Sequence, residues 1–293
     1  MNYAGPFVVV KFRLAPALRF GVSATWNNAS LALKMCWPWL VILTGLEIAA
    51  GMGPGFPLSL LLQTTPSGYE DRAVLVSLLL AVKLLAVSSL AVNWSRFLLL
   101  GEIATGWDRL RIDRPVWRFA CNYLLIWFAC SGVFLLGSLI SFVVLPLLVQ
   151  LSGYALPEFP RAMPPLSEWL HDTWTLIIAG SLLLGILGGL PIVQRLSIKL
   201  VAIAVGREDY GLGDAWRDSG SQSLPLVAYT FAVTGLVTVV WAASFMASLQ
   251  FGPVGAFALL ASAAATLACG LTTILATASV TVLFGLFVER RDI

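Results

Sequence analysis

The sequence predicts an all-α polytopic membrane protein with six transmembrane helices, arranged as three hairpins with short cytoplasmic interfacial helices. First, 59% of the 293 residues are hydrophobic, only 11% are charged, and the mean hydropathy is +0.89. Soluble domains carry about 25% charged residues, so this composition excludes a water-soluble enzyme, a disordered chain and a nucleic-acid-binding protein. Second, six stretches each contain the roughly 20 mainly apolar residues that a spanning helix needs. Third, the basic residues fall in alternate loops, as expected of a multi-pass protein.

The N-terminal segment, residues 1–35, is predicted to be cytoplasmic and interfacial. Pro16 suits the first turn of a helix, and in that helix Leu18, Val22 and Trp26 lie roughly on one face. The short apolar run at the start of the chain comes before the basic residues. A signal peptide has the opposite order, so we expect no cleavage.

The six spans are predicted at 36–56, 73–99, 118–148, 173–204, 224–249 and 254–288. Glycine and proline separate them, as at Gly53-Pro54-Gly55 and in the proline-rich run 157–165. We therefore expect one integral membrane domain over 1–293, with a six-helix bundle at 36–288 and a cytoplasmic tail at 289–293.

The positions of Lys and Arg predict the orientation. Basic residues gather before the first span, after the second and fourth spans, and at the C-terminus, whereas the opposite loops hold only Arg72 and Arg161. Because cytoplasmic loops are enriched in Lys and Arg, we expect both termini to be cytoplasmic.

Two of the basic connections resemble each other and suggest an internal repeat. Residues 103–108 read Ile-Ala-Thr-Gly-Trp-Asp and residues 203–208 read Ile-Ala-Val-Gly-Arg-Glu, and a tryptophan beside an arginine follows each, at Trp117 and Trp216. With Trp26 in the N-terminal segment, the repeating unit is an interfacial helix followed by a hairpin. Alternatively, these aromatic and basic residues simply anchor helix ends at the interface.

Arg96 and Arg195 lie near the predicted cytoplasmic ends of the second and fourth spans. We expect both side chains to extend to anionic lipid headgroups. Asn93, one turn before Arg96, is expected to reach the same region without a buried partner.

Two charged residues are predicted to lie inside the membrane. Glu47 and Lys83 are each about 10 residues into their spans, roughly 15 Å deep at about 1.5 Å per residue. An unpaired charge at that depth costs at least about 2.5–3.5 kcal/mol, so we predict that the two side chains pair. The pair is either a proton or substrate site or a clamp that fixes helix register.

Small residues mark predicted helix contacts in the fourth and sixth spans, at Gly185, Gly189, Ala261, Ala265 and Cys269. Small residues three or four apart let helix backbones approach closely in lipid. We expect these residues to pack the fourth span against the sixth; homodimerisation through the same face is the alternative.

No motif points to an enzyme. All four cysteines lie in apolar runs and the chain has a single histidine, His171, so disulfides, metal sites and a Ser-His-Asp triad are not expected. No glycine-rich phosphate loop and no carboxylate pair in a catalytic context occur. We expect no cofactor.

The segments 93–102, 195–199 and 211–216 resemble a broad group of uncharacterised bacterial six-helix inner-membrane proteins. That group is similar to the membrane domain attached to some glycerophosphoryl diester phosphodiesterases. The resemblance implies a location in the bacterial inner membrane, but no phosphodiesterase activity, because the soluble catalytic domain is absent here.

The sequence therefore predicts a non-enzymatic scaffold or accessory subunit that interacts with membrane lipids and with a protein partner or a second copy of itself. The alternative is a small-solute transporter or lipid-handling protein that uses the site at Glu47 and Lys83.

Overall fold

The computed structural model describes residues 14–49, 69–151, 173–220, 223–250 and 256–289. Over these residues the secondary structure is helical, without strands. The elements are α1 Leu14–Asn27, α2 Ala29–Ala49, α3 Tyr69–Leu100, a 3₁₀ helix Gly106–Leu110, α4 Arg114–Leu151, α5 Thr173–Ala204, α6 Leu212–Asp218, α7 Ser223–Gln250 and α8 Ala256–Phe287. The predicted all-α class is confirmed.

The long helices are apolar enough for a multi-pass membrane protein. Among the described residues, five stretches could cross a membrane by length and composition, and a sixth apolar stretch, on α7, is shorter; they are Ala29–Leu46, Ser77–Leu100, Gly106–Leu148, Gly180–Ala204, Ala263–Phe287 and Pro225–Val239. The pairs α2 and α3, α4 and α5, and α7 and α8 each follow a short helix. Among the described elements a short helix thus precedes each pair of long helices, in the predicted order; that the three units form an internal repeat stays a prediction.

The helix bounds agree with the sequence analysis except at the first span. The fourth span is helical over the predicted residues, but α2 begins at Ala29 rather than at residue 36. The segment from Ala29 to Lys34 is rich in alanine, leucine and lysine, which favour helix, so the helix starts before the most apolar run. Only Asn28 separates α1 from α2, and its side chain donates to the Ala24 carbonyl at 2.8 Å.

The chain divides into two compact units. Unit 1 comprises Met1–Asn122 and Ser197–Ile293, and unit 2 comprises Tyr123–Leu196. The boundaries fall inside α4 and α5, so both units contain parts of the same helices. That the whole chain forms a single membrane domain stays a prediction.

Helix α8 is the centre of unit 1, where it contacts α1, α2, α3 and α7. One buried cluster around it includes Tyr229 and Phe284, and a second includes Trp94 and Ile274. These four side chains are fully buried. The buried face of α8 therefore holds the other four helices together.

Polar residues in α8 do not interrupt this packing. The hydroxyls of Thr272, Thr277, Ser279 and Thr281 donate to carbonyls four residues earlier in the same helix, at 2.7–2.9 Å. A buried hydroxyl without a partner would cost free energy. Because these groups are satisfied within α8, neighbouring helices can pack directly against it.

Gly270 brings three helices of unit 1 together. A β-carbon at this position would lie 2.9 Å from Cys36 Sγ on α2 and 3.8 Å from Leu90 Cδ1 on α3. A larger residue at this position would require the Cys36 side chain to move, so glycine permits the close approach seen here. The contact also fixes the register, since it places Cys36 and Leu90 at the level of Gly270.

Unit 2 contains a glycine contact between α4 and α5. A β-carbon at Gly185 would lie 2.8 Å from the Phe134 carbonyl oxygen and closer still to Ser138 Oγ, and one at Gly137 would lie 3.5 Å from the Gly185 Cα. The described neighbours of Gly185 thus belong to the third span, whereas we expected the sixth. The sequence analysis overlooked Gly137 and Ser138, the matching small residues that permit this close approach.

Candidate functional site

The candidate site is the basic end of unit 1, defined as residues 93–122 and 199–220 with the end of α8. Two glycines shape it. Gly101 follows α3 with φ +70°, and Gly206 follows α5 with φ +84°. This left-handed conformation is a common way to end a helix and favours glycine. The Gly101 N–H donates to the Phe97 carbonyl at 3.0 Å, which closes the last turn of α3.

These glycines correct the alignment of the predicted repeat. The sequence comparison matched Gly106 with Gly206, and both have positive φ. Gly106, however, begins the 3₁₀ helix, whereas Gly206 closes α5 as Gly101 closes α3. The structural equivalent of Gly206 is therefore Gly101, and residues 103–106 belong to the connection instead.

Asn93 and Ser89 hold the 3₁₀ helix against α3. The buried Asn93 donates from Nδ2 to the Asp108 carbonyl at 3.1 Å, and Ser89 Oγ donates to the Arg109 carbonyl at 3.4 Å. We expected Asn93 to reach the headgroups instead. Two short polar side chains one turn apart in an apolar helix were the available signal, because buried polar groups need partners.

Arg96 connects the ends of α3 and α5. Its Nε and Nη2 donate to the two carboxylate oxygens of Glu102 at 2.7 and 3.1 Å, and its Nη1 donates to the Ala204 carbonyl at 3.5 Å. The hydrogen bond and positive charge of Arg96 lower the pKa of Glu102. Glu102 was not predicted as the partner of Arg96. Whether Arg96 also contacts headgroups stays a prediction.

The connection after α5 docks on the end of α8. The guanidinium carbon of Arg207 lies 5.6 Å from the centre of the Phe284 ring, and Nη2 of Arg207 lies 3.5 Å from Oε1 of Glu289. Tyr210 contacts the same ring edge-on at 6.2 Å and donates its hydroxyl to Asp218 at 3.2 Å. Burial, and then the charge of Asp218, raise the pKa of Tyr210.

Exposed tryptophans are a common feature of the short helices and of the start of α4. Trp26, Trp117 and Trp216 are all exposed, as is Trp107 in the 3₁₀ helix. Each lies in or beside a short helix or at the start of a long one. Tryptophan is enriched where a membrane meets water, and the interfacial roles of the first three stay predictions.

A small cavity opens where α4 begins and α5 ends. Its volume is about 110 Å³, and its lining includes Arg114, Arg118, Asn122, Lys199 and Glu208. Arg118 forms an ion pair with Glu208. The sequence predicts no cavity here; Arg118 appears there as the arginine beside the interfacial Trp117, in the repeat or as an anchor of a helix end.

The predicted pair of Glu47 and Lys83 falls partly outside the described residues. The backbone of Glu47 is helical, its side chain is not among those described, and Lys83 is half-buried. Cys36 on α2 and Leu90 on α3 lie at the same level, beside Gly270. Glu47 follows Cys36 by 11 residues, and Lys83 precedes Leu90 by 7 residues, so both lie on the same side of that level. At about 1.5 Å per residue their backbones differ in level by about 6 Å, or one turn. The pairing stays a prediction.

The remaining predicted residues differ in their surroundings. Arg195 is buried, nine residues before the end of α5 and thus about 14 Å along the axis, whereas we expected it near the surface. In unit 2, a β-carbon at Gly189 would make ordinary contacts of 3.8 and 3.9 Å with Cys130 and Phe134.

Of the small residues predicted in the sixth span, Ala265 and Cys269 are half-buried on α8, and the side chain of Ala261 lies outside the described set. The four cysteines are free thiols. Among the described residues, no three His, Cys, Asp or Glu side chains cluster as metal ligands would.

The chain was compared with protein-family models, curated proteins and solved structures, and none matches it. The class is given by the fold and the site geometry: the chain is a polytopic α-helical membrane protein with a basic end that carries exposed tryptophans.

Proposed function

We propose that the protein is a non-enzymatic scaffold or accessory subunit of the bacterial inner membrane, with both termini in the cytoplasm. In this proposal the basic end faces the cytoplasm and meets lipid headgroups and a protein partner or a second copy of the chain. The resemblance to bacterial six-helix membrane proteins supports the location, and the distribution of Lys and Arg supports the orientation.

The packing around α8 is the observation that carries the proposal. Transport of a polar solute needs a polar or hydrated path between helices. Along α8 the hydroxyls of Thr272, Thr277 and Ser279 instead bond to their own helix, and a β-carbon at Gly270 would lie 2.9 Å from Cys36 Sγ, so α2 and α8 are in close contact there. This region of unit 1 suits a structural role.

The polar contacts that hold the connections of the basic end in place also support a scaffold role. Asn93 fixes the 3₁₀ helix, Arg96 joins the ends of α3 and α5, and Arg207 fixes the next connection on α8. A connection held by several polar contacts presents a constant surface. A partner that docks there pays little conformational entropy for ordering the connections.

The competing proposal is a transporter or lipid-handling protein that uses Glu47 and Lys83. The register of α2 against α3 favours this proposal, because it brings the two positions within about one turn of each other. A transporter of this kind also requires that water reach both residues. Replacing the two residues singly and together tests whether their side chains are in contact. If they are, Glu47→Gln and Lys83→Met should each destabilise the protein more than the double variant does. Additive losses would count against a paired site.

Purification of the full chain in mild detergent tests the scaffold proposal. We expect a protein partner, or a second copy of the chain, at fixed stoichiometry after size-exclusion chromatography and cross-linking. A chain that is monomeric and partner-free in both detergent and native membranes, but accumulates a solute in proteoliposomes, would establish the transporter instead. Arg19→Gln, at an exposed position of α1 outside the basic end, provides a control that should keep the partner.

A further inference from the structure

The cavity at the basic end of unit 1 has the composition of an anion site. Its volume is about 110 Å³, and it lies between the first turns of α4 and the last turns of α5. Arg114, Arg118 and Lys199 supply three positive charges, and Glu208 supplies the one carboxylate among its described lining residues. The lining therefore carries a surplus of positive charge.

Two of the three cations are available to a ligand. Arg118 is held by Glu208, but neither Arg114 nor Lys199 has an acidic partner among the described residues. The nearest other carboxylate in sequence, Asp113, is bound by Arg111 at 3.0 Å.

The size and chemistry of the cavity match a phosphate group. The volume is several times what one water molecule needs, which is enough for a compact anion. A guanidinium presents paired N–H donors that fit phosphate oxygens, and a lysine ammonium adds a point charge. Asn122 already donates one amide N–H to the Arg118 carbonyl at 2.8 Å, so its contribution is secondary.

The position of the cavity suits the headgroup region. The exposed Trp117 directly precedes Arg118, and the cavity lies at helix ends. Basic pockets between transmembrane helices can bind anionic lipid headgroups.

We propose that this cavity binds a phosphate group, carried either by an anionic lipid headgroup or by a soluble phosphate. Without a bound phosphate, Glu208 forms an ion pair with Arg118, so its carboxylate competes with the phosphate for this guanidinium. The proposal goes beyond the scaffold function, and its test does not decide that function.

Thermal unfolding of the full chain in mild detergent tests the site. The probes are dihexanoyl phosphatidic acid, inorganic phosphate, dihexanoylglycerol and chloride at matched ionic strength. We expect a saturable rise in the unfolding midpoint with the phosphatidic acid, with inorganic phosphate, or with both, and none with dihexanoylglycerol or chloride. A response to the lipid alone identifies a headgroup site, and a response to inorganic phosphate identifies a soluble source.

Matched variants distinguish the cavity from general charge effects. The double variant Arg114→Gln and Lys199→Gln should bind the phosphate probe at least about tenfold more weakly, whereas Arg19→Gln removes an exposed charge on α1, outside the basic end, and should bind normally. Glu208→Gln should bind more tightly, because the competing carboxylate is lost. Equal binding by the double variant and Arg19→Gln, or weaker binding by Glu208→Gln, would overturn the proposal. Unliganded unfolding midpoints near that of the wild type verify that the variants fold.

Discussion

Replacement of Gly185 by alanine should destabilise the contact between α4 and α5 in unit 2. The added methyl group would lie 2.8 Å from the carbonyl oxygen of Phe134 and 3.0 Å from the ring carbon Cδ2 of Phe134. It would also overlap Ser138 Oγ. The serine can rotate away, but the carbonyl belongs to the α4 backbone and cannot. The two helices must therefore separate.

The loss of unfolding free energy caused by Gly185→Ala can be worked out by comparison with Gly188 on the same helix. A β-carbon at Gly188 meets nothing within 4 Å, so Gly188→Ala gains helix propensity of about 1 kcal/mol without a clash. Gly185→Ala gains the same propensity but also overfills a packed interface, which typically costs about 1–3 kcal/mol. Because propensity cancels between the two variants, Gly185→Ala should be less stable than Gly188→Ala by about 1–3 kcal/mol.

Equilibrium unfolding in mixed micelles with increasing SDS measures this difference. Gly189→Ala provides an intermediate control, since its new contacts of 3.8 and 3.9 Å are ordinary ones. We expect Gly188→Ala and Gly189→Ala to unfold near the wild-type midpoint and Gly185→Ala well below it. Equal midpoints for Gly185→Ala and Gly188→Ala would refute the close approach of α4 and α5 at this position.

Three further predictions concern unit 1. Asn93→Ala removes the donor that holds the 3₁₀ helix, so trypsin should cut at Arg109 several times faster than in the wild type; unchanged cleavage would show that Asn93 does not hold the segment. Arg96 lowers the pKa of Glu102 in the folded protein. The ionised Glu102 therefore stabilises the fold fully above the pKa of an unfolded glutamate, about 4.3, and this stabilisation is lost as the pH falls through the folded-state pKa. Since the pair is partly exposed, the effect is about 0.2–1 kcal/mol. Glu102→Gln should therefore be less stable than the wild type at pH 7 and should approach it near pH 3.5, as measured by unfolding midpoints; a constant gap would contradict the assignment. Tyr229 donates to the Ser279 carbonyl at 3.1 Å and is fully buried, so Tyr229→Phe should cost about 0.6 kcal/mol and Tyr229→Ala about 3–5 kcal/mol. Equal losses would mean that the hydrogen bond, not packing, dominates there.

The sequence predicts the helices well because long apolar runs are a strong and local signal. The fourth span is helical over the predicted residues, and short helices precede all three hairpins. The start of α2 was predicted late because hydropathy follows lipid exposure, whereas backbone helix continues through residues such as Lys34.

The site was harder to predict because its contacts join residues far apart in the chain. Arg96 was recognised as interfacial, but its links to Glu102 and to the Ala204 carbonyl depend on how α3 and α5 end. The pairing of Arg118 with Glu208 spans 90 residues of sequence and has no local pattern. Likewise, the small residues around Gly185 indicate a close contact but not which helix packs there. In the structure Phe134, Gly137 and Ser138 of α4 lie opposite Gly185.

Water accessibility of Cys36 tests the central claim, which is that the packing around α8 is solid. Cys36 is 3% exposed, and its Sγ would lie 2.9 Å from a β-carbon at Gly270. A variant that retains only this cysteine is treated with a charged methanethiosulfonate reagent in native membranes, with Thr105→Cys in a cysteine-free background as the accessible control. We expect Thr105→Cys to react rapidly and Cys36 to react only after denaturation in SDS. Rapid reaction of Cys36 in the folded protein would reveal a hydrated path through unit 1 and contradict the scaffold proposal.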